Sequence, residues 1–367
     1  MINRENIVET VGKLGFVTNR RWLGMKRAGM LMLGLIVILV VALPAMAEEE
    51  LTAEDSYARG LEFYKANNFE AALLHFENAT SKKPDYVEAW MRIGDCQSKL
   101  GRYEKAVEAY KQAINIEPDL EEAYENMGFA YSGLKSPEEA IEAFKQMLRI
   151  NPNNATADYN IGTVYAGLGR TKEALEEFKQ AIGKKPDYAE AYDYMGTIYY
   201  NQENYQEAAE AYKKAIQVKP DYLDGYVDLG AVYHKLGRDR EAADVCKQAI
   251  AIKPTAEAFN MLGIANSSLG RNKEAIEAYN QALALNPNFA AVYNNLALEY
   301  GNKGRYKDVV DALKHSIMLQ PQNVVPYYNL GIAYLRLGDR SSALKQYEAL
   351  KELDPELAAK LHQIIIR

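Results

Sequence analysis

The chain has 367 residues, 48% of them apolar, and a formal charge of −7. That apolar share is ordinary for a folded protein and sets intrinsic disorder aside, while the acidic balance argues against nucleic acid as a partner. The two cysteines, Cys96 and Cys246, stand alone, so no zinc or redox motif and no disulfide framework is expected.

Residues 1–47 differ from the rest. Arg4, Lys13, Arg20, Arg21, Lys26 and Arg27 against Glu5 and Glu9 make this stretch +4, which leaves −11 for the remainder of a −7 chain. From Ala28 to Ala47 there is no charge, Lys26 and Arg27 stand just before the apolar run, and Pro44-Ala45-Met46-Ala47 closes it ahead of Glu48-Glu49-Glu50. A basic flank, an apolar run and an A-x-A exit are the parts of a secretory signal peptide, with cleavage expected between Ala47 and Glu48. The alternative is an uncleaved transmembrane anchor at residues 28–47, since the run approaches the ~20 residues a spanning helix needs. Pro44 and the small residues beside it favour cleavage. Either way the body is expected on the non-cytoplasmic side, periplasmic or extracellular, because the basic flank stays inside. The leader is long, and Met25-Lys26-Arg27 would itself make a typical start. The Arg20-Arg21 pair lies in a poor twin-arginine context, and no cysteine follows the run to carry a lipid.

After a short linker, 48–52, one period organises the chain. Pro84, Pro118, Pro152, Pro186, Pro220, Pro254, Pro287, Pro321 and Pro355 fall 34 residues apart, with a single step of 33 between Pro254 and Pro287. Each proline follows an amphipathic run such as Glu104–Ile116, where the missing amide stops a helix. Between prolines lie two helical stripes. Trp90, Ile93, Gly94 and Gln97 form one, and Ala106, Tyr110, Ala113 and Ile114 the other, at spacings of three and four rather than the alternation of a strand. Gly101, Gly169, Gly237, Gly270, Gly304 and Gly338 share one phase, where a left-handed residue would cap the first helix.

These residues carry a resemblance. Tyr192, Met195, Gly196, Tyr199, Ala208, Tyr212, Ala215 and Pro220 follow the pattern of the tetratricopeptide repeat in full, and Tyr226, Leu229, Gly230, Tyr233, Ala242, Ala249 and Pro254 follow it with Cys246 at the aromatic's place. Small residues such as Gly230 and Ala242 belong where the two helices of a repeat approach most closely. The resemblance covers nearly the whole chain after the signal. It implies an all-α, right-handed α-solenoid superhelix of about nine helix-turn-helix units over residues 53–357. Ser56 and Arg59, where apolar residues are usual, suit a terminal unit with one face in water. Leu357, Leu361, Ile364 and Ile365 form a stripe on a C-terminal capping helix, 358–367, expected to cover repeat 9. The residue missing between Pro254 and Phe259 shortens one inter-repeat loop, with a slight change of direction expected there.

No catalytic constellation stands out. His75, His234, His315 and His362 lie in distant repeats without metal-ligand spacing or a nucleophile motif, and the glycines are explained by the repeat rather than by a phosphate loop. Glu54, Glu88, Glu122, Glu190, Asp224 and Glu257 recur near helix starts, where they complement the helix dipole. No enzyme activity, metal or cofactor is expected, and the cysteines, four repeats apart, are expected to remain free thiols.

The repeat explains most of the tyrosines. Tyr57, Tyr64, Tyr159, Tyr194, Tyr200 and Tyr328 remain, at the fifth, sixth or twelfth place of first helices, and the fifth and twelfth share a stripe away from the core one. The family resemblance implies that this stripe lines a concave groove for an extended peptide or helix of a protein partner, and that Asn126, Asn160, Asn295 and Asn329 beside it bind peptide backbone through their amides. The tyrosines are expected to serve recognition and to contribute little to folding, unlike Tyr199 on the core stripe. The fifth places hold no lysine, so a carboxylate clamp of the chaperone-binding kind is not evident. The function expected is that of a non-catalytic scaffold or adaptor, or alternatively of a regulatory or assembly subunit of a cell-envelope enzyme or secretion complex.

Overall fold

The computed structural model describes residues 51–366. The signal or anchor segment, the cleavage point between Ala47 and Glu48, and the start of the 48–52 linker lie outside the described residues. Among the described residues there are helices and no strands, and no helix is long and apolar enough to cross a membrane. The fold is an all-α repeat solenoid.

Repeat 1 consists of α1 (Ala53–Lys65) and α2 (Phe69–Lys82), repeat 2 of α3 (Val87–Lys99) and α4 (Tyr103–Ile116), and repeat 3 of α5 (Glu121–Gly133) and α6 (Pro137–Ile150). Repeat 4 follows with α7 (Ala155–Gly167) and α8 (Thr171–Lys184), repeat 5 with α9 (Ala189–Asn201) and α10 (Tyr205–Val218), and repeat 6 with α11 (Leu223–Lys235) and α12 (Asp239–Ile252). Repeat 7 is α13 (Ala256–Ser268) and α14 (Asn272–Leu285), repeat 8 is α15 (Ala290–Asn302) and α16 (Tyr306–Leu319), and repeat 9 is α17 (Val324–Arg336) and α18 (Arg340–Leu353). A last helix, α19 (Pro355–Ile365), begins at Pro355, three residues ahead of the expected boundary. The described residues divide into two compact units, 51–89 and 90–366.

In the first unit, Thr52 belongs to the fold rather than to a linker. Its hydroxyl accepts the Asp55 amide at 3.0 Å while the Asp55 carboxylate accepts the Thr52 amide at 3.2 Å, a capping box that starts α1. Arg59 is exposed as expected, but Ser56 is fully buried. It needs no water because its hydroxyl donates to Asn78 Oδ1 at 2.9 Å.

In the second unit, each second helix from α6 onwards is wedged between the first helix of its own repeat and the helix that follows it, and first helices also touch, as α11 touches α13. First helices therefore form one side of the stack, called the inner face below. The pair that sets helix spacing recurs sixteen residues apart. A Cβ on Gly128 would stand 2.5 Å from the Phe144 ring, on Gly196 2.7 Å from Tyr212, and on Gly263 2.4 Å from Tyr279. Those distances lie well inside contact, so the glycine makes room for a buried ring. In repeat 6 the ring is absent. Gly230 faces Cys246 Sγ, and Met261 of repeat 7 reaches within 3.2 Å to fill the remainder. The shortened loop brings this about: Lys253 is extended, Thr255 caps α13 through its hydroxyl, and α11 and α13 meet more extensively than other first helices do. Cys96 and Cys246 are both buried and neither is in a disulfide, and burial pushes the Cys246 thiol up to about 12.

All nine first-to-second turns place one residue in the left-handed region. Six hold the expected glycines; the others hold Asn67, Lys135 and Glu203 at φ 57°, 57° and 60°. At repeat 9, Gly331 faces Leu361 of α19 rather than Tyr347 of its own α18. Helix α19 packs on both α17 and α18, and Leu361 and Ile365 join Leu350 in a buried cluster.

Candidate partner-binding face

The stripe assigned to recognition is less free than its phase suggests. In the first unit, Tyr57 lies 5.5 Å from Phe76 and 5.0 Å from Tyr86, and Tyr64 lies edge-on to Phe69 at 5.4 Å, all ring to ring. In the second unit, the Tyr159 ring packs on Tyr188 at 4.9 Å, Tyr194 at 5.7 Å and Phe178 at 5.8 Å, and burial raises the pKa of its phenol. Tyr200 sits on Tyr205 at 5.5 Å, in the same cluster that Tyr199 supports, and Tyr328 packs against the cluster of Leu350 and Leu361. The expectation that these rings stand off the core is therefore corrected. Long aromatic side chains at these places fold back onto neighbouring repeats, and Tyr159 and Tyr200 support folding. Tyr194, at 39% exposed, keeps a face to solvent.

The asparagines are corrected in a similar way. Asn126 donates to Asp95 Oδ1 at 3.3 Å, Asn160 to Glu125 Oε1 at 3.3 Å, and Asn295 to Asn260 Oδ1 at 3.0 Å. Each amide thus donates across to the first helix of the preceding repeat, and Asn160 is only 4% exposed. What these amides do is tie adjacent first helices together. Asn329 is exposed. Of the ten candidate residues, the structure brings Tyr159 and Tyr194 into contact and distributes the others along the array.

Other residues present more surface. Phe129, 51% exposed, and Leu298, 61% exposed, occupy the ninth place of α5 and α15. Each lines an apolar cleft on the inner face. The first cleft, about 430 Å³, runs from Phe129, Ser132 and Phe144 of repeat 3 to Thr163, Val164 and Gly167 of repeat 4, with Lys135 at its rim. The second, about 220 Å³, lies between Leu298, Gly301 and Leu313 of repeat 8 and Asn329, Ile332 and Ala333 of repeat 9. The signal that finds them is simple: nine follows five by four and precedes twelve by three, so the ninth place belongs to the same helical stripe.

Between the clefts the face is acidic. Asp193, at the fifth place of α9, accepts a hydrogen bond from Tyr222, and its Oδ1 is buried without a partner. Burial, with Asp224 and Glu190 adding to it, pushes the Asp193 carboxyl up to about 6. Burial, then Asp193 and Asp224, pushes Asp228 up to about 7. Glu190 is paired with Lys219 at 2.9 Å. Among the described residues, no group of three or more His, Cys, Asp or Glu side chains could hold a metal ion.

Family models described as "TPR repeat" match residues 98–135, 196–237 and 265–304. Models described as "Tetratricopeptide repeat" match residues 133–196, 223–255, 290–323 and 325–357. No curated protein matches the chain. Among solved structures, it is similar to the APC/C hetero-tetramer Cut9-Hcn1, at 15% identity and TM-score 0.53, over 86% of this chain and 76% of that one. It is also similar to the C-terminal part of a TPR repeat-containing protein from Cytophaga hutchinsonii, at 18% identity and TM-score 0.52, over 65% of this chain and 99% of that one. These two share the fold. A third similar structure, MamA, has 28% identity and TM-score 0.40 over 44% of this chain and 94% of that one.

Proposed function

Because the chain belongs to the tetratricopeptide-repeat family and is accordingly a protein–protein interaction scaffold, we propose that it holds its partner on the inner face of repeats 3–9, on the non-cytoplasmic side of a membrane. The observation that carries the reading is the pair of apolar clefts opening beside Phe129 and Leu298, two large side chains left in water at the same helical place. Exposed apolar side chains beside clefts gain most from being covered. Phe129→Arg with Leu298→Arg is expected to abolish co-purification of the partner from cell-envelope fractions and to lower the melting temperature only modestly, through the edge contact at 5.5 Å that Phe129 makes with buried Phe144. Met318→Arg, on a second helix, serves as the control because Met318 is also exposed. Equal loss in the control, or none in the double variant, would place the partner elsewhere.

The location rests on residues 1–47 of the sequence. The exported protein is expected to begin at Glu48 by N-terminal sequencing, and an intact N-terminus in the membrane fraction would replace the signal reading with the anchor.

A further inference from the structure

The second, fifth, sixth, ninth and twelfth places of the first helices define the inner face. From repeat 3 to repeat 9, no lysine or arginine occupies any of these places, although the chain has 43 such residues. Glu122, Glu125, Asp193, Asp224 and Asp228 are among the carboxylates that do. In these repeats the first twelve places of every first helix lack lysine and arginine altogether. The second helices carry both signs and pair them locally, as Lys213 with Glu210 at 2.9 Å and Arg305 with Asp308 at 2.9 Å. On the inner face, among the described residues, Asp193, Asp224 and Asp228 have no lysine or arginine partner.

The aromatic residues fit the same chemistry. Tyrosine rings elsewhere in this chain already hold cations: Lys185 stands 4.7 Å from the Tyr188 ring centroid and Arg238 4.5 Å from that of Tyr233. Tyr194 offers a comparable ring, half in water and beside Asp193 in sequence, with no such cation on it among the described residues. Burial, and after it the neighbouring carboxylates, makes Asp193 and Asp228 hold their protons more tightly than usual. One repeat earlier, the cleft at Phe129 and Val164 has room for one large apolar side chain.

We propose that the inner face of repeats 3–6 binds a basic segment of its protein partner, a large apolar side chain entering the cleft beside Phe129 and lysine or arginine side chains lying along Tyr194, Asp193 and Asp228. The proposal rests on the inner-face reading above and adds the chemistry of the partner. Charge complementarity on a concentrated face selects partners and speeds their arrival, while the apolar anchor fixes the register.

Two labelled synthetic peptides test it by fluorescence anisotropy with the full chain at pH 8. They share one sequence with a single tryptophan, and one carries lysines where the other carries glutamates. The lysine peptide is expected to bind and the glutamate peptide to show no binding. Asp193→Asn with Asp228→Asn should weaken the lysine peptide at least tenfold, and Phe129→Ala at least fivefold, with circular dichroism unchanged. Glu108→Gln with Asp244→Asn removes the same charge from exposed places on second helices and should change affinity less than twofold. Equal weakening by the two charge pairs would reduce the effect to diffuse attraction by an acidic body and overturn the proposal. Failure of the lysine peptide to bind, or equal binding of the glutamate peptide, overturns it as well. If that happens while Phe129→Arg with Leu298→Arg still loses the co-purified partner, the inner-face reading stands and only the basic chemistry falls.

Discussion

Repeat 5 seats Gly196 against the buried Tyr212 ring, turns at Glu203 with φ 60°, and presents Asp193 at its fifth place. Repeat 8 has Ala297 in one cluster with Leu313, turns at Gly304 with φ 69°, and presents Asn294 at its fifth place. The two repeats have helices of the same lengths, so the plan tolerates both sets. The difference shows that the repeat conserves volume by pairs sixteen residues apart, not residue by residue. It also shows that turn and face vary independently of that pair.

Exchanging the sets is the way to test this, and the core pair should respond most. Gly196→Ala would drive a methyl into the Tyr212 ring, at a cost of about 1–3 kcal/mol, and Tyr212→Leu would leave a cavity, at a cost of about 2–3 kcal/mol. Together they reproduce the pair of repeat 8, and the double variant should lie well above the sum of the two losses. Chemical denaturation of all three variants decides the matter, and simple additivity would refute pairwise compensation.

The face comes next. Asp193 and Asp228 have folded pKa values raised above the ordinary 3.8, so the folded state binds their protons more tightly than the unfolded state does. Their contribution to stability therefore falls as pH rises from about 4 through about 6 and about 7. Asp228→Asn should remove much of that fall and raise the melting temperature at pH 8 by about 2–4 °C, with little change near pH 4. A variant melting at the wild-type temperature at both pH values would show that the carboxyl is comfortable as an anion.

The turn should respond least. A side chain in the left-handed region costs about 1 kcal/mol relative to glycine. Glu203→Gly is expected to stabilise by about that much and Gly304→Glu to destabilise by a similar amount, both read from denaturation midpoints. Loss of stability in Glu203→Gly would mean that the glutamate earns its place through a contact.

Much of this architecture is legible in the prolines and glycines, because helix ends and left-handed turns are decided by single residues. Repeats and the pairing of helices follow from the period. The face is harder to read, because one helix's stripe records direction but not the reach of its neighbours. Tyr159 points away from its own core yet is covered by Tyr188 and Tyr194 from the next repeat. Asn160 looks like a free amide until Glu125, 35 residues earlier, is brought alongside it. Phe129 was available to the same stripe count and is missed only when the fifth and twelfth places are considered without the ninth.

The two ends of a solenoid are different surfaces, and each resembles what the interior of the stack expects to meet. An open last repeat would accept the first repeat of another copy, and such a head-to-tail contact repeats without closing, which is how filaments grow. Here α19 stands where a tenth first helix would stand, with Leu361 placed against Gly331 and Ile365 buried beside it. The surface that α17 and α18 present is thus occupied by the chain's own helix, and a second copy would have to displace α19 to stack on repeat 9.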